Sequence, residues 1–126
     1  MLNVLLVDDE QDNHLLFRLK LKKHLADQEY SLYSFESGQE CLDFVSKNPE
    51  IKIDLLLSDI NMPHMDGFEL IQSLKKIRPI DKIYMVSAYE SQDHFDRATN
   101  LGASRYFPKP VDFQALVTAI REDVLK

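Results

Sequence analysis

Short apolar runs alternate with amphipathic segments through most of the chain, and this alternation constrains the fold more than any other feature of the sequence. The apolar runs predict five β-strands, at residues 2–7, 30–35, 53–58, 82–87 and 105–107. Hydrophobic residues spaced three and four apart predict five intervening and following helices, near residues 11–25, 38–48, 67–78, 91–101 and 113–124. Strands that alternate with helices form a parallel sheet with helices packed on both faces.

The composition of each predicted strand indicates its place in the sheet. Strands 1, 3 and 4 are almost continuously apolar, as expected for strands covered on both sides, whereas strand 2 alternates and is expected at an edge. Right-handed crossovers leave few topologies for five such units. We predict the strand order 2-1-3-4-5, a doubly wound (βα)5 flavodoxin-like α/β fold. Ligands bind such a sheet at the carboxyl ends of strands 1 and 3.

The helical stripes predict which side chains face the core. Ser37 and Glu40 form a predicted capping box at the second helix, and Asp112 is the predicted cap of the last helix. Leu15 and Leu19 fall opposite the apolar stripe of the first helix. The residues predicted to be buried, with Leu16 close to the first stripe, are Phe17, Leu21, Leu25, Cys41, Leu42, Val45, Leu70, Ile71, Leu74, Ile77, Phe113, Leu116, Val117, Ile120 and Val124.

Length, charge and cysteine content limit the possible functions. The 126 residues are enough for one domain, which we expect to span residues 1–126. A net charge of −6 disfavours nucleic acid and anionic membranes as partners. The longest apolar runs, at residues 4–7 and 83–86, are far shorter than the roughly 20 residues needed to cross a bilayer. The single cysteine, Cys41, excludes an intrachain disulfide and fits a cytoplasmic location.

Acidic residues follow the two strands that flank the predicted ligand site. Asp8, Asp9 and Glu10 come directly after strand 1, and Asp59 comes at the end of strand 3. Two carboxylates about 4 Å apart repel each other by roughly 4 kcal/mol at an effective dielectric constant near 20. The cluster therefore predicts a bound proton or cation, and oxygen ligands alone favour Mg²⁺. Helix capping is the alternative, but it accounts for one aspartate and not for all three.

A hydroxyl and an ammonium group complete this predicted site. Ser87 ends strand 4, and Lys109 follows strand 5. Taken separately, Ser87 is most simply a hydroxyl bonded to local backbone, and Lys109 a solvated lysine. Together with a carboxylate and Mg²⁺, they form the set of groups that phosphoryl transfer requires. An aspartate nucleophile in this site gives an acyl phosphate.

The combined pattern resembles the receiver domain of bacterial two-component response regulators. The resemblance rests on Asp8-Asp9, on Asp59 within D-I-N-M-P-x-M-D-G, on Ser87-Ala88 and on Lys109-Pro110, and it covers residues 2 to about 125. It implies that Asp59 is the phosphoacceptor and that the cofactor is Mg²⁺. The resemblance further implies a cis peptide bond between Lys109 and Pro110.

The resemblance also assigns individual contacts around the phosphoacceptor. Asp9 and Asp59 are expected to ligate Mg²⁺ directly, Asp8 through water, and Asn61 through its backbone carbonyl. Ser87 is expected to donate a hydrogen bond to the phosphoryl group, and Lys109 to form a salt bridge with it. Any catalysis would then be limited to the domain's own phosphorylation and dephosphorylation.

The resemblance implies a conformational switch and protein partners. Tyr106 lies where the family carries its switch aromatic, although simple packing against the last helix is the alternative. Asn61 and Tyr89 flank the expected path of the hydrolytic water, and we predict that Tyr89 slows dephosphorylation. The expected phosphodonor is a sensor histidine kinase or a histidine phosphotransfer protein, and Leu15 and Leu19 either help to dock it or are ordinary exposed leucines.

The output is expected to be read by a downstream domain or protein at the surface formed by the fourth helix, fifth strand and fifth helix. Direct binding of this domain to nucleic acid or membrane is not expected.

Other functions of the same architecture fit the sequence less well. A flavodoxin-type electron carrier needs a phosphate-binding loop after strand 1, where Asp8, Asp9 and Glu10 would repel a phosphate. A phosphatase with an aspartate nucleophile needs a D-x-D pattern there, but Asp8 and Asp9 are adjacent. The P-loop motif of nucleotide hydrolases is missing from the sequence. A receiver that acts only as an interaction module, without phosphorylation, remains an open alternative.

Overall fold

The computed structural model describes residues 2–88 and 91–125, which form five strands and five helices. The strands are β1 (Leu2–Val7), β2 (Tyr30–Phe35), β3 (Ile53–Asp59), β4 (Ile80–Ser87) and β5 (Arg105–Pro108). The helices are α1 (Gln11–His24), α2 (Gly38–Lys47), α3 (Gly67–Ile77), α4 (Gln92–Asn100) and α5 (Phe113–Asp123).

The sheet is parallel and has the predicted order β2-β1-β3-β4-β5. The fold class is thus confirmed, as is the edge position of β2, whose six residues are all half-buried. Pairing with neighbouring strands lengthens three strands beyond their apolar runs. Asp59 pairs with Val86, Ile80 with Ile53, and Pro108 with Ser87. β3 and β5 therefore extend one residue further towards the polar residues than their apolar runs predict.

The two faces of the sheet build two apolar layers. Because successive side chains of a strand point to opposite faces, Val4 and Leu6 of β1 pack beneath α1 and α5, while Leu5 and Val7 pack beneath α2 and α3. All four side chains are at most 1% exposed. Fully burying an apolar side chain of this size contributes roughly 1.5–3 kcal/mol. This double burial fixes the position of the carboxyl end of β1.

Four predicted core positions are less buried than their helical spacing indicates. Leu16 is 42% and Ile77 is 43% exposed, and Leu42 and Val124 are half-buried. Ile77 is the last residue of α3 and lies beside the loop at residues 49–52, at the rim of the sheet rather than under it. Helical spacing identifies a face but not how far the sheet extends beneath it. The opposite prediction is confirmed for Leu15 and Leu19, which are 53% and 55% exposed.

Side-chain caps begin α2, α3, α4 and α5, whereas the Glu10 side chain makes no capping hydrogen bond at α1. The Ser37 hydroxyl accepts a hydrogen bond from the Glu40 amide at 3.2 Å, but the Glu40 carboxylate bonds the amide of Glu36 instead of returning to Ser37. The predicted box at α2 is therefore only half formed. Asp66 and Glu69 form a complete capping box at α3, which was not predicted. The predicted cap Asp112 is confirmed, since its carboxylate accepts from the amides of residues 114 and 115.

Within the residues described, no helix has the length and apolar character that a membrane span needs. Cys41 is buried, and this burial raises the pKa of its thiol to about 12.

Candidate functional site

The carboxyl ends of the strands bring distant polar residues to one edge of the sheet. Asp8 directly follows β1, Asp59 ends β3, Ser87 ends β4, and Lys109 follows β5. The pairing of Asp59 with Val86 and of Ser87 with Pro108 sets these ends side by side. The fold therefore brings these four residues to the same edge of the sheet, as the sequence predicts.

The Lys109 ammonium lies between two buried carboxylates. Its Nζ is 2.9 Å from Oδ2 of Asp59, 3.2 Å from Oδ2 of Asp8 and 3.9 Å from Oε1 of Glu10. The Asp8 and Asp59 side chains are only 2% and 5% exposed, and that of Lys109 is 17% exposed. Shielding from water strengthens these charge interactions relative to those of a surface ion pair. Lys109 therefore offsets the repulsion between the two aspartates.

Burial and charge act in opposite directions on this group. Burial raises the pKa of the Asp59 carboxyl above its usual value, and the charge of Asp8 adds to the rise, while the Lys109 ammonium partly offsets it. For Lys109, burial alone lowers the pKa, but its hydrogen bonds and the charges of Asp59 and Asp8 outweigh burial and raise it. Asp59 is thus a carboxylate whose ionised form depends on the neighbouring cation.

The polar groups of Asp8 are held from several sides. The Asp8 amide donates to the carbonyl of Phe35 at 3.1 Å, which ties it to β2. Its Oδ1 accepts from the Glu10 amide at 2.9 Å, and its Oδ2 accepts from Nδ2 of Asn13 at 3.1 Å. Nε2 of His14 lies 2.6 Å from the Asp8 carbonyl oxygen. The first turn of α1 therefore fixes Asp8 in place.

The closest carboxylate cluster includes one residue beyond the predicted set. Ligand oxygens of Asp8, Asp9 and Glu10 all lie within 4.8 Å of one another. Asp59 is not in that tight cluster, but it lines one pocket of about 210 Å³ with Asp9, Glu10, Lys109 and other residues. The carboxylates of this pocket offer oxygen ligands, which fits Mg²⁺ better than a transition metal. Glu10 is one of the acids that follow strand 1 in the sequence, but it is not among the predicted metal ligands.

Asn61 and Ser87 connect the acidic group to the next strand. The Asn61 amide donates to Oδ1 of Asp59 at 3.3 Å, and Nδ2 of Asn61 donates to the Ser87 hydroxyl at 3.4 Å. Ser87 is fully buried, and its carbonyl accepts from the Lys109 amide at 2.8 Å. Both oxygens of the Asp59 carboxylate thus accept a hydrogen bond, one from Asn61 and one from Lys109.

A glycine lets α3 begin close to Asp59. A Cβ atom at Gly67 would lie 2.4 Å from the Asp59 carbonyl oxygen and 2.9 Å from Cε of Met85. The Gly67 amide donates to the carbonyl of Ile60 at 2.8 Å, which closes the loop between β3 and α3. In the same loop His64 has a positive φ of 68°. Asp66-Gly67, the last pair of the quoted motif, marks the start of α3 after this turn.

Tyr106 lies at the opposite side of Ser87 from the acids, on β5. Its ring is half-buried, and the ring centroid is 6.1 Å from that of Phe95 on α4. The two rings help to line a cavity of about 370 Å³ together with Ser91 and Pro108. Tyr106 therefore has α4 as a neighbour as well as the sheet. Tyr89, the predicted dephosphorylation-tuning residue, lies outside the described residues.

The peptide bond between Lys109 and Pro110 is cis, as the resemblance implied.

Comparison with known families decides what this arrangement is. The family model of the response regulator receiver domain matches residues 4–121. The chain belongs to this family. As a receiver domain it is a regulatory module of two-component signal transduction, which disfavours the electron-carrier and phosphatase interpretations.

Relatives of the receiver domain differ in how much further chain they carry. The chain is 36% identical over 124 residues to the transcriptional regulatory protein GlrR of Escherichia coli K12, covering 98% of this chain and 26% of that protein. It is 29% identical over 119 residues to sporulation initiation phosphotransferase F of Bacillus subtilis, covering 94% of this chain and 90% of that protein. The chain thus spans about a quarter of GlrR and most of the Bacillus protein.

Solved structures of receiver domains share the fold. A CheY-like receiver domain protein from Methanospirillum hungatei is 30% identical, with a TM-score of 0.78 over 98% of this chain and 94% of that one. A receiver domain protein from Clostridium thermocellum is 25% identical, with a TM-score of 0.84 over 99% and 95%.

Proposed function

We propose that this receiver domain is the phosphoacceptor of a two-component phosphorelay and that Asp59 is the residue phosphorylated. The observation that carries the proposal is the Lys109 ammonium, 2.9 Å from the buried Asp59 carboxylate and 3.2 Å from that of Asp8. A buried carboxylate beside a fixed cation can accept a negatively charged phosphoryl group, because the cation neutralises the charge on the transferred oxygens.

In the proposed reaction, a carboxylate oxygen of Asp59 attacks the phosphorus atom in line with the leaving group. The new oxygen–phosphorus bond gives an acyl phosphate, and the bond from phosphorus to the donor breaks. Lys109, which pairs with Asp59 and Asp8 before the transfer, then pairs with the phosphoryl oxygens as well. The Ser87 hydroxyl is placed to donate to one of those oxygens.

The donor set of the pocket fits a bound Mg²⁺ ion. We propose that Asp9 and Asp59 hold it directly, Asp8 through water, and Asn61 through its backbone carbonyl. When bound, the ion neutralises charge on the transferred phosphoryl group. Glu10 lies within 4.8 Å of Asp8 and Asp9 at their ligand oxygens and adds negative charge at the mouth of the pocket.

The same geometry supports a switch from Asp59 towards α4. We propose that Ser87 moves towards the phosphoryl group and that the Tyr106 ring then turns inward, which changes the surface formed by α4, β5 and α5. Shifting a two-state equilibrium from 1:99 to 99:1 requires about 5.5 kcal/mol, which a few charge-assisted hydrogen bonds can supply. Asn61 and Tyr89 are proposed to tune the lifetime of the phosphorylated state.

A histidine kinase or a histidine phosphotransfer protein is the proposed phosphodonor, and a downstream domain or protein is the proposed reader. Leu15 and Leu19 are proposed to help dock this phosphodonor. The net charge of −6 favours protein partners over nucleic acid.

Incubation with acetyl phosphate and Mg²⁺, followed by intact-mass measurement, tests the proposal. Wild type should gain the mass of one phosphoryl group, and Asp59→Asn should gain none. Asp81→Asn is the matched control, since Asp81 is an exposed aspartate paired with Lys52. A wild-type protein that gains no mass, or equal gain by Asp59→Asn, would overturn the assignment and favour an interaction module that works without phosphorylation.

A further inference from the structure

His14 makes a buried contact that the proposed reaction does not explain. The residue lies in the first part of α1, is 9% exposed, and has its Nε2 atom 2.6 Å from the carbonyl oxygen of Asp8. A carbonyl oxygen can only accept a hydrogen bond, so the Nε2 atom must carry the proton. The ring therefore acts as a donor to the main chain of an acidic residue.

The accepting carbonyl belongs to the peptide that joins Asp8 to Asp9. Fixing this peptide plane fixes the ψ angle of Asp8 and the φ angle of Asp9, and therefore the direction of the Asp9 carboxylate relative to that of Asp8. The Asp8 amide is already fixed to the carbonyl of Phe35 on β2. The His14 contact holds the other end of Asp8, so the direction in which the chain leaves β1 is set from both sides.

We propose that His14 is a positioning residue for the divalent-cation site: its Nε2–H group orients the Asp8–Asp9 peptide so that the ligand oxygens of the two carboxylates lie within 4.8 Å of each other. The inference rests on the proposed function only in requiring that Mg²⁺ binds there. Partners that orient metal ligands typically change metal affinity by about 10- to 100-fold when they are removed. His14 acts through the backbone and does not touch the ion.

A simple packing role for His14 makes a different prediction. If the ring only fills space between α1 and the sheet, an apolar side chain should serve as well and leave Mg²⁺ affinity unchanged. If the donor matters, a polar side chain with an N–H group should preserve affinity even though its shape differs. Leucine and glutamine at position 14 separate the two roles.

The experiment measures the Mg²⁺ dissociation constant by isothermal titration calorimetry at one fixed pH for wild type, His14→Leu and His14→Gln. We expect His14→Leu to bind about tenfold more weakly and His14→Gln to recover most of that loss. His24→Leu is the matched control, because His24 lies in the last turn of the same helix and is expected to leave affinity unchanged. Urea unfolding without Mg²⁺ checks that each variant is folded.

The outcomes separate this inference from the proposed function. A wild-type protein that does not bind Mg²⁺ would overturn the metal site itself. Wild-type binding that His14→Leu retains in full would overturn only the positioning role. If His14→Leu does not fold, nitrogen NMR of the wild-type imidazole decides the matter. A proton on Nε2 supports the proposal, and its absence there ends it.

Discussion

At the scale of single residues, the site depends on one cation shared by two buried acids. Lys109 is held by Asp59 and Asp8 at 2.9 and 3.2 Å, and Glu10 is 3.9 Å away. Two carboxylates so close together are stable only because the ammonium lies between them. Removal of any member of this group therefore changes the charge balance for the others.

Lys109→Met should destabilise the domain because it leaves Asp8 and Asp59 buried without their cation. Breaking a buried ion pair by removing one partner costs about 3–5 kcal/mol, and urea unfolding measures it. Lys52→Met is the control, since Lys52 forms exposed pairs with Asp54 and Asp81. Its effect should be small, and equal effects of the two variants would contradict the argument.

Asp59→Asn should become more stable relative to wild type as the pH rises from about 4 to 7. Burial raises the pKa of Asp59, so the stability that Asp59 contributes is complete below its unfolded pKa of about 3.9. It is lost as the pH rises through the higher folded pKa. Asparagine cannot ionise and escapes that loss. Urea unfolding at both pH values measures the difference.

Asp123→Asn is the contrasting variant. The Arg105 guanidinium lowers the pKa of Asp123 to about 2, so Asp123 contributes stability above its unfolded pKa and loses it as the pH falls towards 2. Asp123→Asn should therefore lose stability relative to wild type as the pH rises from about 2 to 5, opposite in sign to the change that rising pH causes in Asp59→Asn. The same sign for both variants would refute the linkage argument.

At the scale of elements, helices are attached to the sheet at specific points. Gly67 lets α3 start against the carbonyl of Asp59. At the other end of the sheet, the Tyr84 hydroxyl donates to Oδ2 of Asp123 at 2.7 Å, and Nε of Arg105 donates to the same oxygen at 2.7 Å. These contacts join α3 to β3 and α5 to both β4 and β5.

Gly67→Ala should destabilise the domain, because its Cβ would lie 2.4 Å from a backbone oxygen that cannot move independently of β3. Overpacking of this kind typically costs about 1–3 kcal/mol. Gly38→Ala is the matched control, since its Cβ meets the flexible end of Met65. Thermal unfolding should show a smaller loss for Gly38→Ala, and the reverse order would show that the loop after β3 adapts.

Asp123→Ala should cost about 1–3 kcal/mol, the usual penalty for leaving a buried polar group unsatisfied. The Tyr84 hydroxyl belongs to a side chain that is fully buried, and it loses its acceptor in this variant. Glu122→Ala removes the other, more exposed partner of Arg105 and should matter less. Chemical unfolding of both variants measures the two losses of stability. Equal losses would contradict the role of Asp123 in joining α5 to β4 and β5.

At the scale of the whole molecule, ligand binding and folding are linked through the acidic pocket. A ligand that binds only the folded state at about 100 times its dissociation constant stabilises by about 2.7 kcal/mol. Mg²⁺ should therefore raise the unfolding midpoint, and chelation should reverse the rise. NaCl at matched ionic strength is the control. Asp9→Asn should reduce the Mg²⁺ effect, and equal stabilisation by NaCl would indicate screening alone.

The sequence predicted the sheet order because buried strands and amphipathic helices have different periods. It also placed Asp8, Asp59, Ser87 and Lys109 at one edge, since carboxyl ends of parallel strands meet there. It missed the contacts of Asn13 and His14 with Asp8, and the triad of Tyr84, Arg105 and Asp123. Those pairs depend on the exact start of α1 and on where α5 ends against the sheet. Local patterns carry no information about either, although the family resemblance supplied the roles expected at the site.

The 2.8 Å main-chain bond from the Lys109 amide to the Ser87 carbonyl has a practical consequence for protein engineering. It clasps the hydroxyl-bearing and ammonium-bearing positions together independently of the intervening loop and α4. A designer could graft the segment between Ser87 and Arg105 from another regulator as a cassette. Such chimeras should exchange the α4 part of the surface offered to downstream proteins while they keep the phosphoryl-accepting side chains of the recipient.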